Sequence, residues 1–402
     1  MDGMNVYFDY QATTPMDPRV LEEMMLTMTK EFGNASSKSH AFGWEAEKYV
    51  EKARQQVADL IGAGTGDIVF TSGATESNNM AIKGVARANH NSETKNHLVT
   101  LRTEHKCVLE TCNYLRSKEN FDVTFLGVGK DGLVDLEELE SSLTTRTILV
   151  SIMGVNNEIG VVQPLEKIGA LCHRHGVYFH SDCAQAFGKI PLDVTRMGID
   201  LMSISGHKIY GPKGVGAIYA RQKPRVKIEA LIHGGGQENG LRSGTLPVPL
   251  IVGLGKAAEI AGLEMEKDRI KIEKLADKIM DSLLTIDKVY LNGSRGQRWP
   301  GCLNFSFAGI EGESLIMALK NLAVSSGSAC TSSTLEPSYV IQALGVDSEM
   351  AHSSLRIGLG KFSTEEEVNY LIEKIKTEVP RLREMSPVWE MMKKGIPFDY
   401  SK

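Results

Sequence analysis

Between about residues 67 and 220, the hydrophobic pattern alternates between short apolar runs and longer amphipathic stretches. The short runs predict seven β-strands, at Asp67–Thr71, His97–Leu101, Asp122–Val128, Thr147–Met153, Val177–Asp182, Leu201–Ser205 and Val215–Ala220. Helical periodicity lies between several of them, as at Glu76–Ala88 and at Leu165–His175, which Gly176 ends. Such alternation is typical of a mainly parallel sheet with helices on both faces, so the predicted fold class is α/β.

A second region follows the glycine-rich run Gly234–Gly240. It opens with a long helical pattern at about Pro249–Thr285 and continues with strands and helices, at Gly301–Phe307, Gly312–Leu319, Leu322–Ser325, Ser354–Ile357 and Thr364–Met385. We therefore expect a large domain over residues 15–262. A smaller α+β domain would cover residues 263–402, joined by the N-terminal segment 1–14.

Composition and charge narrow the function class. The chain has 402 residues, of which 42% are hydrophobic and 24% are charged, and its net charge is −5. These values are ordinary for a soluble globular protein, and they give no reason to expect a nucleic-acid partner. No run of 18 apolar residues is present, so no membrane partner is expected. Met1–Tyr10 reads as an apolar strand without the pattern of a presequence, which is expected of a chain that stays where it is made or of a processed chain.

The cysteines indicate a reducing compartment. There are six, none in C-x-x-C spacing, at Cys107, Cys112, Cys172, Cys183, Cys302 and Cys330. A disulfide framework or a zinc site is therefore not expected. Core packing is the expected role of Cys172, Cys183 and Cys302. Cys330 differs, because it lies in the Ser/Gly-rich stretch Ser325–Ser333, where a reactive thiol is favoured.

Three sites at strand ends carry candidate chemistry. Thr71–Ser77 joins a strand to a helix through small residues, which makes either a phosphate cradle or an ordinary capped helix start. Asp182 ends an apolar strand, either to meet a cationic partner or to cap the next helix. Lys208 follows another apolar strand, either desolvated for imine chemistry or solvated in a loop. Together a cradle, an acid and a lysine are what a pyridoxal 5′-phosphate site needs.

Two further residues leave alternatives open. His105 follows a strand and is expected either to stack on a cofactor ring and move a proton or to be a hydrogen-bonded structural histidine. Arg356 lies in the largely apolar Leu355–Gly358 and needs an anion, either a substrate carboxylate or a structural salt-bridge partner.

Longer motifs now carry a family resemblance. They are Tyr7–Pro15, Thr71–Asn78, Thr103–Val108, Val155–Gly160, Ser203–Gly214, Gly234–Thr245, Glu311–Ala318, Ser325–Tyr339 and Arg383–Met391. The chain resembles cysteine desulfurases of the iron–sulfur cluster assembly type (NifS/IscS-like, mitochondrial type) almost end to end. The resemblance implies a fold-type I pyridoxal-phosphate transferase that acts as a homodimer on L-cysteine.

The resemblance also implies residue roles. Lys208 would carry the cofactor, Cys330 would be the nucleophile and persulfide carrier, and His105 would stack on the cofactor ring. The implied cofactor contacts are Ala74, Thr75, Asn157, Asp182, Gln185, Ser205, His207 and, across the dimer, Thr245. Arg356, with Asn157 beside it, would bind the substrate carboxylate. No resident metal is implied; Cys330 would meet a nascent cluster only on a scaffold protein.

Some positions depart from the family pattern. Ala35 stands where proline is usual, Gly154 where a larger residue is usual, and Cys183 where a small residue is usual. The chain stops soon after Pro397, where relatives continue into a scaffold-contacting tail, so scaffold affinity is expected to differ. The Gln11–Pro15 and His105–Val108 forms favour a mitochondrion or mitosome, with a bacterial-type cytoplasm as the alternative.

The predicted reaction converts L-cysteine and an acceptor thiol into L-alanine and a persulfide. Its sulfur would serve iron–sulfur cluster assembly, with tRNA thiolation as a further use. An iron–sulfur scaffold protein is the expected partner, together with a small accessory subunit or a frataxin-like protein. Two alternatives stay open: another pyridoxal-phosphate enzyme, such as an aminotransferase or selenocysteine lyase, and a non-catalytic scaffold subunit that keeps the fold.

Overall fold

The computed structural model describes residues 5–91, 93–326 and 337–395. The strands are β1 Val6–Tyr7, β2 Ile68–Thr71, β3 His97–Leu101, β4 Asp122–Leu126, β5 Thr147–Ser151, β6 Tyr178–Asp182, β7 Leu201–Ser205, β8 Gly216–Ala220, β9 Val289–Leu291, β10 Cys302–Phe307, β11 Leu322–Ala323 and β12 Ser354–Gly358. All seven strands predicted before residue 221 are confirmed, with ends that differ by at most two residues.

The helices are α1 Pro18–Thr29, α2 Ala41–Asp59, α3 Ala74–Ala88, α4 Lys106–Lys118, α5 Leu136–Ser142, α6 Leu165–Arg174, α7 Val248–Leu283, α8 Gly312–Ala318, α9 Tyr339–Ala343, α10 Ser348–His352, α11 Glu365–Glu384 and α12 Pro387–Lys393. The pattern did not predict α1, because Leu21, Met25 and Met28 are exposed and blur its apolar face. None of the helices in the described residues combines the length and the apolar character that a membrane span requires.

The large sheet positions the candidate site. Its strand order is β2-β8-β7-β6-β5-β3-β4, with β8 antiparallel to both neighbours and the other pairings parallel. Strands β3, β5, β7 and β8 are buried along their whole length, which explains why they read as continuous apolar runs. The predicted α/β class with a mainly parallel seven-stranded sheet is confirmed.

The C-terminal region forms a separate three-stranded antiparallel sheet, β12-β10-β9, which contacts α8 and α10, while α11 packs against α7 and α8. The N-terminal segment reaches it: β1 pairs in parallel with β11, and Asp9 forms a bridge with Gly358 of β12. The strand predicted at Leu322–Ser325 ends at Ala323, and Ser325 then forms an isolated bridge with Arg356. The predicted domain boundary between residues 262 and 263 falls inside α7, and the domain division stays a prediction.

Candidate active site

The carboxyl ends of β2, β6 and β7 meet at one edge of the sheet. Gly216, at the start of β8, pairs with Thr71 of β2 on one side and with Ser205 of β7 on the other. Asp182, the last residue of β6, pairs with Ser203 of β7. Because ligands of such sheets bind beyond the carboxyl ends of the strands, this edge collects the residues predicted to carry chemistry.

The turn from β2 into α3 has the backbone shape of an anion site. Gly73 precedes the helix with φ +150°, a conformation that L side chains rarely adopt. A Cβ on Gly216 would lie 2.7 Å from the Gly73 Cα, so the two segments approach closely only because residue 216 is glycine. Helix α3 then begins at Ala74, and its first-turn N–H groups face the same edge without intrahelical partners. Ala74 is half-buried and Thr75 is exposed.

Lys208 lies in the single turn Gly206–Lys208 that follows β7. Its Nζ donates to the backbone oxygens of Gln11, at 2.5 Å, and Ala12, at 2.7 Å. The N-terminal segment is held there by Thr14, whose N–H and hydroxyl both donate to the His207 carbonyl, at 3.1 and 3.0 Å. The active-site lysine candidate is therefore oriented by a segment almost 200 residues away in sequence.

His207 is a neutral group in this site at neutral pH. Burial, and next the positive charge of Lys208, lower the pKa of His207 to about 4. Its Nδ1 lies 3.1 Å from the Thr13 hydroxyl. The imidazole can therefore take part in hydrogen bonds without adding positive charge beside Lys208.

Asp182 is a buried carboxylate with neutral partners. Its Oδ2 accepts from Asn78 Nδ2 at 2.7 Å, and its Oδ1 accepts from the Ala184 N–H at 2.9 Å. No cation of the described residues lies within ion-pair distance of it. A buried carboxylate in this state is stabilised by a cation that arrives with a ligand.

His105 and Cys107 lie at the start of α4, and Asn78 Nδ2 contacts both Cys107 and Asp182. His105 caps this helix by accepting from the Cys107 N–H at 3.2 Å. The Cys107 sulfur lies 3.0 Å from both His105 Nδ1 and Asn78 Nδ2. Because Nδ1 accepts at the cap, this hydrogen bond fixes the orientation of the His105 ring at the start of α4.

Arg356 meets an anion of the chain itself. It is 4% exposed, and its Nη2 donates to Asp9 Oδ1 at 2.7 Å while Nη1 donates to the Asn157 carbonyl at 3.0 Å. The salt bridge that the sequence left as an alternative is therefore present. Arg356 Nε is buried and has no partner among the described residues, so the guanidinium keeps donor capacity for a second carboxylate.

Gln185 lies in the turn that follows β6 and connects it to the N-terminal segment. Its Nε2 donates to the Gln11 carbonyl at 2.8 Å, the same oxygen that accepts from Lys208. Its Oε1 accepts from Lys189 Nζ at 2.6 Å. Gln185 and the candidate lysine, Lys208, thus share one hydrogen-bond acceptor.

The residues of the site fit a pyridoxal phosphate. Asp182 has only neutral donors, which suits a protonated ring nitrogen, and Lys208 lies one strand away from it. Besides Arg356 Nε, the buried polar atoms that have no partner in the part of the chain that the structure describes include Asn78 Oδ1, Asn157 Oδ1 and Gln11 Oε1. Orphaned buried polar atoms are rare, and a polar ligand accounts for them.

Cys330 lies outside the described residues, as do 327–336 as a whole. The described residues on either side of this segment contact the site. On one side Ser325 exchanges two backbone hydrogen bonds with Arg356, at 2.6 and 3.3 Å. On the other side Ser338 Oγ donates to Glu158 Oε2 at 2.5 Å, and Tyr339 Oη donates to the Glu104 carbonyl at 2.8 Å.

The other candidates differ in where the structure places them. Ser205 is buried at the end of β7, and Thr245 is exposed in the segment before α7. Cys172, Cys183 and Cys302 are buried, as expected of core residues. Burial raises the pKa of Cys183 to about 12, so this thiol is not a nucleophile at neutral pH. Cys112 is buried as well, whereas Cys107 is half-buried.

Several residues of the site were not singled out from the sequence. Gln11 and Asp9 were missed because their partners, Lys208 and Arg356, are distant in the chain. Asn78 was detectable, since four residues after Ala74 it lies one helical turn along the same face. Lys189 and Glu158 gave no local signal, because their importance comes from burial alone.

Comparisons with known proteins agree with this geometry. The model of the aminotransferase class-V family matches residues 6–371. The chain is 59% identical to the cysteine desulfurase IscS of Rickettsia africae over 392 residues, which cover 97% of this chain and 95% of that protein. The corresponding protein of Rickettsia felis is 58% identical over 395 residues, with coverage of 98% and 96%.

Solved structures give the same picture. A NifS-like protein superposes with a TM-score of 0.87 at 40% identity, covering 94% of this chain and all of that one. A structure described as SspA in complex with cysteine superposes with a TM-score of 0.80 at 39% identity, covering 89% of this chain and all of that one.

Proposed function

Because the chain belongs to the aminotransferase class-V family, and within it to the cysteine desulfurases, we propose that it converts L-cysteine to L-alanine and passes the sulfur to an acceptor thiol. In balanced form, L-cysteine and a thiol give L-alanine and a persulfide. The observation that supports this most strongly is the set formed by Lys208, Asp182 and the α3 N-terminus at one sheet edge. The neighbour described in complex with cysteine supports the same substrate.

Pyridoxal 5′-phosphate is the cofactor of this family and fits the residues present. When bound, it supplies an electron sink for the negative charge that develops on the substrate α-carbon. Lys208 would hold it covalently, and Asp182, itself held by Asn78, would pair with the ring nitrogen. His105 would stack on the ring.

The remaining cofactor contacts are those that membership of this family implies. Asn157 and Gln185 would bond the ring hydroxyl. The phosphate would meet Ala74, Thr75, Ser205 and His207, joined by Thr245 from a second copy of the chain.

The chain's own groups would then perform the proton and sulfur transfers. The Lys208 amine would take the α-proton of cysteine. Arg356 orients the substrate carboxylate through its unpartnered Nε edge, with Asn157 beside it. The Cys330 thiolate would attack the substrate sulfur: an S–S bond forms, and the Cβ–S bond breaks with its electron pair going to carbon. Cβ then receives a proton, and Lys208 returns the α-proton to Cα, which gives alanine. The resulting persulfide is a reversible form of the cysteine.

We also propose a homodimer with shared sites. Thr245 is exposed on its own subunit, at the end of the glycine-rich segment, which suits a residue that serves a partner's site. An iron–sulfur scaffold protein is the proposed acceptor, with an accessory subunit or frataxin-like protein as a further partner. The relatives reported above are proteins of Rickettsia, so a bacterial-type cytoplasm is the favoured location over a mitochondrion or mitosome. Fractionation of the source cells tests this placement.

The experiment for the proposed function measures alanine and sulfide from L-cysteine with a thiol reductant. Equal amounts of both products without any ketoacid support a desulfurase. A requirement for a ketoacid would identify an aminotransferase instead, and a colourless protein without turnover would identify a non-catalytic subunit. Lys256→Met, which removes a half-buried lysine paired with Glu259, serves as the control for lysine substitutions.

A further inference from the structure

Lys189 is a buried lysine that the proposed reaction does not use. It is 8% exposed, and its Nζ donates to Gln185 Oε1 at 2.6 Å. No carboxylate of the described residues lies within ion-pair distance of it. Lysine is rarely buried without such a partner, because desolvation of the ammonium is costly. Burial, and next the charge of Lys208, lower the pKa of Lys189 to about 7.

The groups around Lys189 come from several elements. Those that act on its charge are Lys208, Cys302 and Arg356. Those that line the two small cavities beside it, of about 20 and 30 Å³, include Tyr10, Asp17, Tyr210, Asp268 and Lys361. Despite these charged neighbours, the hydrogen bond of Lys189 goes to a neutral amide.

That hydrogen bond determines how the Gln185 amide is oriented. When Lys189 is an ammonium it has no lone pair, so only the oxygen of the Gln185 amide can face it. When Lys189 is a neutral amine it still has N–H bonds to donate to that oxygen. With Oε1 turned toward Lys189, the NH₂ group of Gln185 must point the other way. There it donates to the Gln11 carbonyl at 2.8 Å.

The Gln11 carbonyl links this contact to the active-site lysine. It accepts from Lys208 Nζ at 2.5 Å as well as from Gln185. Lys189, Gln185, Gln11 and Lys208 therefore form one continuous series of hydrogen bonds. If the amide were reversed, its oxygen would face the Gln11 oxygen, and two acceptors would repel each other beside Lys208.

We propose that Lys189 is a positioning residue, which locks the Gln185 side chain with its NH₂ group turned toward Lys208 and the cofactor ring. This inference rests on the proposed function, in which Gln185 bonds the ring hydroxyl. Lys189 itself does not touch the substrate. It acts through Gln185, and that dependence can be measured.

The test is a double-mutant cycle on the dimeric holoenzyme. Lys189→Met keeps the apolar stem and removes the donor, and Lys189→Arg keeps a donor. We expect Lys189→Met to lower kcat/KM for L-cysteine about tenfold, the loss typical of one hydrogen bond to a charged group. In a Gln185→Ala background the same substitution should change kcat/KM less than about twofold, because the amide it orients is gone. Lys189→Arg should retain most activity, and Lys256→Met should match the wild type.

A second readout does not depend on turnover. The absorption spectrum of the bound cofactor, recorded without cysteine over a pH series, should change in Lys189→Met but not when that change is added to Gln185→Ala. If Lys189→Met fails to fold, Lys189→Ala with added methylammonium, which can occupy the vacated space beside the small cavities, runs the same cycle. Methylammonium should then restore activity only when Gln185 is present.

Two results would overturn the inference. Equal losses from Lys189→Met in both backgrounds would show a packing role, and an unchanged spectrum with unchanged kcat/KM would show no role. Failure of the proposed function looks different, since the wild type would then make no alanine while the spectral cycle would still report on Lys189.

Discussion

Replacing Glu158 with glutamine should stabilise the protein at high pH. Glu158 is 2% exposed, and its Oε2 accepts from Ser338 Oγ. Burial raises the pKa of Glu158 from its ordinary value of 4.5 to about 7, although Ser338 and the charge of Arg356 oppose the rise. A carboxyl whose folded pKa is raised contributes stability below its unfolded pKa, and this contribution is lost as the pH rises through 7.

The size of the stability change follows from the rise in the pKa of Glu158. Each pH unit between the two pKa values lowers the free energy of unfolding of the wild type by about 1.4 kcal/mol. Relative to low pH, the loss is therefore roughly 3 kcal/mol at pH 8.5 and roughly 1 kcal/mol at pH 5.5. Glutamine keeps an oxygen for the Ser338 hydroxyl and does not ionise. Glu158→Gln should therefore raise Tm by on the order of 5 °C at pH 8.5 and by clearly less at pH 5.5.

The assay is a thermal melt of the holoenzyme at both pH values and at one scan rate, since unfolding of a chain of this size is often irreversible. Glu22→Gln, at an exposed position of α1, controls for the loss of one negative charge. A Glu158→Gln variant that is equally or less stable than the wild type at pH 8.5 would show that burial does not raise the pKa of Glu158. Glu158 would then be an ionised, stabilising partner of Arg356.

Further predictions concern the cofactor site and the dimer. Borohydride should fix the cofactor to Lys208, the lysine that follows β7, and peptide mapping that finds the label on Lys213 would refute this assignment. Mixing Lys208→Ala subunits with Thr245→Ala subunits should restore part of the activity through hybrid dimers, because each site would take its Thr245 from the other subunit; no recovery with verified subunit exchange would contradict shared sites. Asn78→Ala should loosen the cofactor and lower kcat about tenfold, since Asp182 loses a 2.7 Å hydrogen bond, and dialysis against buffer measures the cofactor loss.

Much of the candidate site was predictable because strand ends converge in a parallel sheet. Asp182 and Lys208 each stood out as a charged residue near the end of an apolar run, and the pairing of β6 with β7 brings them to one edge. No distant contact is needed for that inference, since the short apolar runs alone locate the strands. The α3 start differed by two residues from the prediction, because Gly73 turns the chain directly into the helix.

The contacts that orient these groups were not predictable. Lys208 is held by backbone carbonyls of Gln11 and Ala12, and backbone groups leave no signature in residue type. Arg356 left two alternatives because a buried guanidinium can pair with any anion. The structure shows Asp9 beside it, and its Nε has no partner among the described residues. Lys189 was not singled out because a lysine that follows a glycine is typical of an exposed turn, and only the structure shows that it is buried.

The most direct test of the central claim maps the sulfur after one turnover. The holoenzyme is mixed with L-cysteine without reductant, quenched, and digested, and each cysteine peptide is examined by mass spectrometry for one added sulfur atom. We expect the added sulfur on Cys330, alanine in equal amount, and neither product in Cys330→Ser, while Cys107→Ala and Cys183→Ala behave as the wild type. Added sulfur on Cys107 or Cys183, together with undiminished alanine from Cys330→Ser, would contradict it.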